Sequence, residues 1–170
     1  TNIDWVVQWD APQDPSAYTH RVGRTARNGK PGKSVIILTP EEDEYVEFLE
    51  VKGTPVAKME MLQLPSNGPS LFQRVRERHV GDRELFERSL QAFTSYVRGY
   101  HEHTCSFIFK YKDLHFGHLA HCFCMAHLPI MPELKKKRAE GFEPVSIKHW
   151  QIPYRDRNKE KIRLEKLERD

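Results

Sequence analysis

The sequence has few cysteines and no long apolar run. Its 170 residues include three cysteines, an odd number without any C-x-x-C pair. This excludes a disulfide-framed secreted domain and favours a reducing compartment. No apolar stretch approaches the ~20 residues of a transmembrane helix, and no apolar leader opens the chain. We therefore expect a protein of the cytosol, nucleus or nucleolus.

Net charge is also small, at +3, but it is unevenly distributed. Residues 1–69 hold 7 basic and 10 acidic side chains, residues 70–132 hold 8 and 6, and residues 133–170 hold 12 and 8. Basicity grows toward the C-terminus, as expected if that end binds a polyanion. A hydrophobic content of 38% is enough for one ordinary domain or two small ones.

The N-terminal part begins with a strand signal and a helix signal. Residues 4–10, DWVVQWD, are typical of a buried strand. Asp14 followed by Pro15 supplies an N-cap and a first helical residue. The helix that starts there is predicted to run to about Arg27.

A second strand and helix follow. Residues 28–33, NGKPGK, form a turn, and residues 34–39, SVIILT, are typical of a parallel strand covered on both faces. Thr39 and Glu42 form a capping-box pattern that opens an acidic helix. The order β-α-β-α predicts an α/β fold with a parallel sheet. Because two strands make a marginal sheet, we infer that further strands lie upstream and that the chain begins inside a domain.

Charge is concentrated in HRVGRTAR, residues 20–27. In a helix, His20, Arg24 and Arg27 would lie within about 60° of one another. Arg21 would lie about 60° beyond them. A solvated basic stripe and an anion-binding face are both compatible with this spacing alone.

With its flanks, VVQWDAPQDPSAYT and SVIILTPEE, this segment resembles motif VI of the second RecA-like domain of DEAD-box ATP-dependent RNA helicases. The resemblance implies that Arg24 and Arg27 reach the γ-phosphate of ATP, with Arg27 as the arginine finger. It implies that His20 couples the nucleotide cleft to RNA-contacting motifs and that Arg21 braces the interdomain interface. Gly23 would keep the helix close to its neighbour.

Two positions depart from the family pattern. Many relatives have glycine where Ala26 stands and an aromatic residue where Asn28 stands. We expect Ala26, a good helix former, to leave the motif intact. Asn28 cannot stack on a base, so an adenine contact there is in doubt.

Other motor motifs are absent from the sequence. It contains no G-x-x-x-x-G-K-[ST] loop and no D-E-A-D stretch. The acidic run at residues 41–45 is expected to be a solvated helix face. ATP and Mg²⁺ would be bound mainly by a first RecA-like domain, so this chain alone is expected not to hydrolyse ATP.

Helix signals dominate after a breaker-rich segment. Ser70 can cap one helix, and Asp82 can cap a longer one that reaches about His103. Residues 105–112 are predicted to be either extended or a loop over the core, and Asp113 can cap a helix through Leu128. The longer helix has an apolar stripe, made of Leu85, Phe86, Leu90, Phe93, Val97 and Tyr100.

Residues 96–134 resemble the helical C-terminal extension of DEAD-box helicases that act in ribosome assembly, through I-F-x-x-K-D-L, L-A-x-x-F and P-x-M-P-E-L. The tail, FEPVSIKHWQIPYRDRNKEKIRLEKL, resembles that of the helicase branch associated with the large-subunit precursor. The resemblance implies binding to pre-rRNA and preribosomal proteins, in the nucleus and nucleolus. From Tyr154 onward we expect a mixed-charge helix.

Basic residues of this extension are candidates for phosphate contacts with RNA. They are Lys110, Lys112, Lys135, Lys136, Lys137 and Arg138.

Zinc is a further possibility, because six of nine histidines and all three cysteines lie between residues 101 and 127. No metal-ligand spacing supports it, and the cysteines are expected to be small apolar core residues. No metal site is therefore predicted.

The sequence predicts four parts. Residues 1–58 end a RecA-like domain 2, residues 59–69 are a linker, residues 70–134 form a small all-α extension, and residues 135–170 form a basic, mixed-charge tail. The expected function is an ATP-dependent RNA helicase, an RNA-stimulated ATP hydrolase, that remodels pre-rRNA during large (60S) ribosomal subunit biogenesis. A non-catalytic rRNA- or preribosome-binding module is the alternative.

Overall fold

The structure, a computed structural model, describes residues 3–60, 71–136 and 139–169. Its mixed α/β composition confirms the predicted fold class. The helices and strands are β1 Trp5–Gln8, α1 Pro15–Val22, β2 Lys33–Ile36, α2 Glu44–Val51, α3 Leu71–Gly81, α4 Arg83–His101, α5 Phe116–Cys122, α6 Pro132–Lys136 and α7 Arg157–Leu167. Among the described residues, no helix has the length and apolarity needed to cross a bilayer.

The chain divides into two compact units. The first unit is Thr1–Gln63 with Arg98–Lys112, and the second unit is Leu64–Val97 with Asp113–Asp170. The α4 helix therefore contributes residues to both. The four sequence-predicted parts remain a prediction, and most of the predicted linker lies outside the described residues.

The two strands pair in parallel, from Trp5 opposite Lys33 to Gln8 opposite Ile36, as predicted. The expected burial is wrong. Trp5, Val7 and Trp9 are 50%, 64% and 72% exposed, because they project from the face opposite the core. In the described chain, helices cover only the face that carries Gln8 and Ile36.

The first unit packs its core between α1, α2 and the segment after α4. Residues 105–112 form a loop over this core, the second of the two predicted alternatives. Burial raises the pKa of the Tyr45 phenol to about 12. The buried residues are Tyr18, Tyr45, Leu49, Cys105, Ile108 and Phe109.

In the second unit, α4 begins as predicted, with the Glu84 amide donating to the Asp82 carboxylate at 3.0 Å. Phe86, Phe93 and Val97 of the predicted stripe are buried. The helix ends at His101, two residues before the predicted end.

The helix predicted from Asp113 to Leu128 is much shorter. The α5 helix covers only Phe116–Cys122, and its N-cap is His115. It stops because Cys124 adopts a left-handed backbone conformation, with φ of 50°. Cys105 and Cys124 are buried as expected, whereas Cys122 is exposed.

Gly117 allows the segment around Glu140 to pass against α5. A Cβ at position 117 would overlap the carbonyl oxygen of Glu140. Backbone cannot move aside as a flexible side chain can, so this contact requires glycine.

Replacing Gly117 by alanine should lower the free energy of unfolding of the second unit by about 1–3 kcal/mol, as overpacked sites do. Urea unfolding can be followed through Trp150 in a Trp5→Phe, Trp9→Phe background. Gly81→Ala is the matched control, since nothing lies within 4 Å of a Cβ there. Equal stabilities of the two variants would contradict the close approach.

The α7 helix opens at Asp156, whose carboxylate accepts from the amides of Asn158 and Lys159. Glu160 binds the Arg163 guanidinium, with an N–O distance of 2.5 Å. This bond, chiefly, lowers the pKa of Glu160 to about 2. The predicted mixed-charge helix is confirmed.

Because the folded pKa of Glu160 lies below its unfolded value, its stabilisation is present above about pH 4.5 and is lost as pH falls to about 2. We expect Glu160→Gln to cost about 1 kcal/mol at pH 7, allowing for solvent screening. Urea unfolding at several pH values should show this difference vanish toward pH 2. A difference that does not change with pH would contradict the pKa assignment.

Candidate functional site

The candidate site lies on α1 and the loop that follows it. The helix starts as predicted, since the Ala17 amide donates to the Asp14 carboxylate at 2.8 Å and Pro15 is the first helical residue. The hydrogen bond from the Ser16 side chain is the largest of the effects that lower the pKa of Asp14.

The predicted extension of this helix to Arg27 is wrong. It ends at Val22, and the Gly23 amide donates to the Thr19 carbonyl at 2.9 Å. Ala26 and Asn28 have φ of 53° and 57°, which no right-handed helix contains. Arg24 and Arg27 are therefore loop residues, and the angular spacing predicted for them does not apply.

Thr25 anchors this loop to the start of the sheet. It is only 5% exposed, and its hydroxyl donates to the Ile3 carbonyl. A Cβ at Gly32 would overlap that hydroxyl, so the glycine is needed for the approach. Sequence reasoning missed Thr25; a lone hydroxyl residue between two arginines was the available signal.

Arg24 and Arg27 are held by one nitrogen each. Arg24 Nε donates to the His20 carbonyl at 3.2 Å, and Arg27 Nε donates to the Gly23 carbonyl at 2.9 Å. Both side chains are exposed, and neither has a carboxylate partner within the described part of the chain. The terminal guanidinium nitrogens are thus available to an anion.

The other motif residues have different positions. Arg21 binds Asp10, at 3.7 Å from its carboxylate and 3.3 Å from its carbonyl, and so ties α1 to the loop after β1. His20 is exposed. Gly23 caps α1, and the nearest atom to a Cβ there is the Thr19 carbonyl of the same helix.

The candidate RNA-binding lysines lie in both units. Lys110 and Lys112 are exposed in the first unit, and Lys135 is exposed on α6 of the second. Lys136 ends α6. Lys137 and Arg138 lie outside the described residues.

The histidines and cysteines considered for zinc are spread over both units. His103 lies in the first core, where its Nδ1 accepts from the Cys105 amide and its ring stacks on Phe109. Burial lowers its pKa. Over residues 3–60, 71–136 and 139–169, no three potential ligands lie close enough to share a metal.

Comparison with known proteins bears on both units. Residues 1–29 match the helicase conserved C-terminal domain, and residues 82–131 match the C-terminal extension described as ATP-dependent rRNA helicase SPB4-like. The chain belongs to the DEAD-box RNA helicase family.

Relatives in this family resemble nearly the whole chain. A probable ATP-dependent RNA helicase ddx55 of Dictyostelium discoideum is 42% identical over 98% of the chain. DEAD-box ATP-dependent RNA helicase 18 of Arabidopsis thaliana is 42% identical over 91%, and ATP-dependent RNA helicase DDX55 of Homo sapiens is 38% identical over 98%. These matches cover 25%, 26% and 27% of the respective relatives, so the chain spans about a quarter of their length.

Ala26 in this DEAD-box segment is a source of strain, contrary to the expectation that it suits a helix. Replacing it by glycine should raise the free energy of unfolding of the first unit by about 0.5–1 kcal/mol, because glycine adopts positive φ without a steric penalty. Chemical denaturation measures this change. Ala17→Gly, within α1, should instead cost about 1 kcal/mol. Equal losses in both variants would contradict the loop conformation.

Proposed function

We propose that this chain is the C-terminal part of an ATP-dependent RNA helicase that remodels pre-rRNA in large ribosomal subunit assembly. The observation that carries the proposal is the pair of exposed arginines, Arg24 and Arg27, each tethered through Nε with its terminal nitrogens uncommitted among the described residues. A guanidinium so placed can bind phosphate oxygens through two parallel hydrogen bonds.

The proposed role of both arginines is to stabilise charge on the γ-phosphate. Phosphoryl transfer leaves a protein little to do beyond positioning and charge stabilisation. Arg27 acts as the arginine finger, while Arg24 binds the same group. ATP and Mg²⁺ would be held mainly by a first RecA-like domain, and Mg²⁺ would neutralise charge on the phosphates.

Three further residues are proposed to couple nucleotide and RNA. His20 communicates with RNA-contacting motifs, Arg21 holds α1 in place through Asp10, and Gly23 ends the helix so that the arginines lie in the loop. The anchored Thr25 fixes the loop between them.

The second unit is proposed to bind RNA. Its match to an extension described for an rRNA helicase supports this, as does the basic charge of residues 133–170. Lys135 and the rest of the basic run to Arg138 are its proposed phosphate contacts, and Lys110 and Lys112 are proposed contacts on the first unit. Pre-rRNA and preribosomal proteins are the proposed partners, and the nucleolus the proposed location.

Within a protein of its relatives' length, Arg27→Ala should lower RNA-stimulated ATP hydrolysis by about 10³-fold or more and leave RNA affinity nearly unchanged. Steady-state ATPase assays and RNA-binding titrations measure the two quantities. Lys30→Ala is the control, since Lys30 is an exposed cation in the same loop.

Equal ATPase rates for Arg27→Ala and Lys30→Ala would contradict the arginine-finger role. An unstimulated wild-type protein that still binds rRNA would instead favour the alternative, a non-catalytic rRNA- or preribosome-binding module.

A further inference from the structure

An exposed turn in the second unit is hydrogen-bonded by side chains from other elements. It covers residues 146–151 and includes the 3₁₀ turn His149–Gln151. All six residues are exposed. The turn is followed by Ile152, which is fully buried and packs with Phe86 and Ala126.

Three side chains from elsewhere in the second unit bind the backbone of this turn. Arg83 Nη1 donates to the His149 carbonyl at 3.2 Å and to the Ile152 carbonyl at 3.4 Å. Arg163 Nη1 donates to the Trp150 carbonyl at 2.9 Å. His127 Nε2 donates to the Ile147 carbonyl at 2.5 Å. Three carbonyls of the turn and that of Ile152 therefore accept hydrogen bonds from side chains, which reduces the entropy that a ligand of this turn would have to remove.

The turn presents one large aromatic ring to solvent. Trp150 is 49% exposed, although Ile152 already anchors the segment in the core. Lys148 Nζ lies over one face of the indole, 5.0 Å from its centre, so a base would stack on the opposite face. The His149 and Trp150 rings meet edge-on, with their centres 5.0 Å apart. An indole beside a cation offers both a stacking surface and a phosphate contact.

Positive charge surrounds this ring in the sequence and in the fold. Residues 145–169 contain eight basic and four acidic side chains. Three of the acids are engaged within α7: Asp156 caps it, Glu160 binds Arg163, and Glu165 lies 4.0 Å from Lys161. Arg155 and Arg157 are exposed and have no carboxylate partner in the described chain. Exposed apolar side chains are also present, at Ile147 in the turn and at Ile130 in the pocket that His149 lines. The excess of basic side chains around an exposed indole is what favours a polyanion with planar bases as the ligand.

We propose that Trp150 is a stacking platform for an unpaired base of single-stranded RNA, with Lys148 contacting the adjacent phosphate. This rests on the proposed RNA-binding role of the extension and names the form of RNA it takes. A stacked base is recognised by its flat face, so the platform accepts any sequence. A blunt duplex hides those faces and binds less tightly.

Binding of the full chain to a labelled twelve-nucleotide oligouridine and to a blunt RNA duplex tests this by fluorescence anisotropy at fixed salt. Trp150→Ala should weaken single-strand binding by about 5- to 100-fold, the effect of removing one stacked base. Trp150→Phe should retain most of the affinity. Trp9→Ala, at an exposed tryptophan of the first unit, is the matched control and should leave the affinity for the single strand unchanged.

A second measurement guards against misfolding of the alanine variant. In a Trp5→Phe, Trp9→Phe background, oligouridine should quench the fluorescence of Trp150, the remaining tryptophan. If the wild type and Trp150→Ala bind RNA with equal affinity and the indole is not quenched, the platform is overturned, while RNA binding by the chain stands. Failure of the wild type to bind either RNA would overturn both proposals.

Discussion

The hydrogen bond from Thr25 to the Ile3 carbonyl determines the shape of the candidate site. It draws the chain back to the sheet immediately after α1 ends, and Gly32 leaves room for it. Were Thr25 to continue the helix, the arginines on either side of it would take helical positions. Instead they lie in a loop whose centre is buried and whose two flanks are exposed.

This arrangement explains how a short segment can be rigid and still reach a ligand outside the chain. The guanidiniums of Arg24 and Arg27 use one nitrogen each to grip carbonyls four residues earlier, which limits their freedom without consuming the terminal nitrogens. Arg21 instead pairs with Asp10 and so holds α1 against the loop after β1. Three arginines of one motif thus have two physical roles in this fold.

In the second unit, too, buried contacts hold a surface segment that exposes a side chain. Gly117 permits a close backbone crossing, Ile152 is fully buried, and Arg83 and Arg163 bind carbonyls beside it. The consequence is a surface turn with little backbone freedom and an exposed indole. The Glu160–Arg163 pair that orients one of these arginines also stabilises the first turns of α7.

Local signals in the sequence were enough to place most elements, because caps and hydrophobic spacing act over a few residues. Asp14 and Asp82 each cap a helix as predicted. Phe86, Phe93 and Val97 form the buried stripe of α4 where the 3.6-residue period puts them. The parallel pairing of β1 and β2 also followed from the order of elements. Family membership was readable from the arginine motif and the extension.

The tertiary structure alone decided where helices stop and which side chains remain exposed. The composition of residues 24–27 and 123–128 is compatible with a helix. The hydrogen bond from Thr25 to Ile3 and the left-handed conformation of Cys124 nevertheless end α1 and α5 early. Likewise, the apolar run at Trp5–Trp9 did not reveal that Trp5, Val7 and Trp9 would be exposed in the described part of the chain. Contacts between residues far apart in the chain outweigh propensities of a few tenths of a kcal/mol per residue, which is why the sequence determined the elements and the fold determined the site.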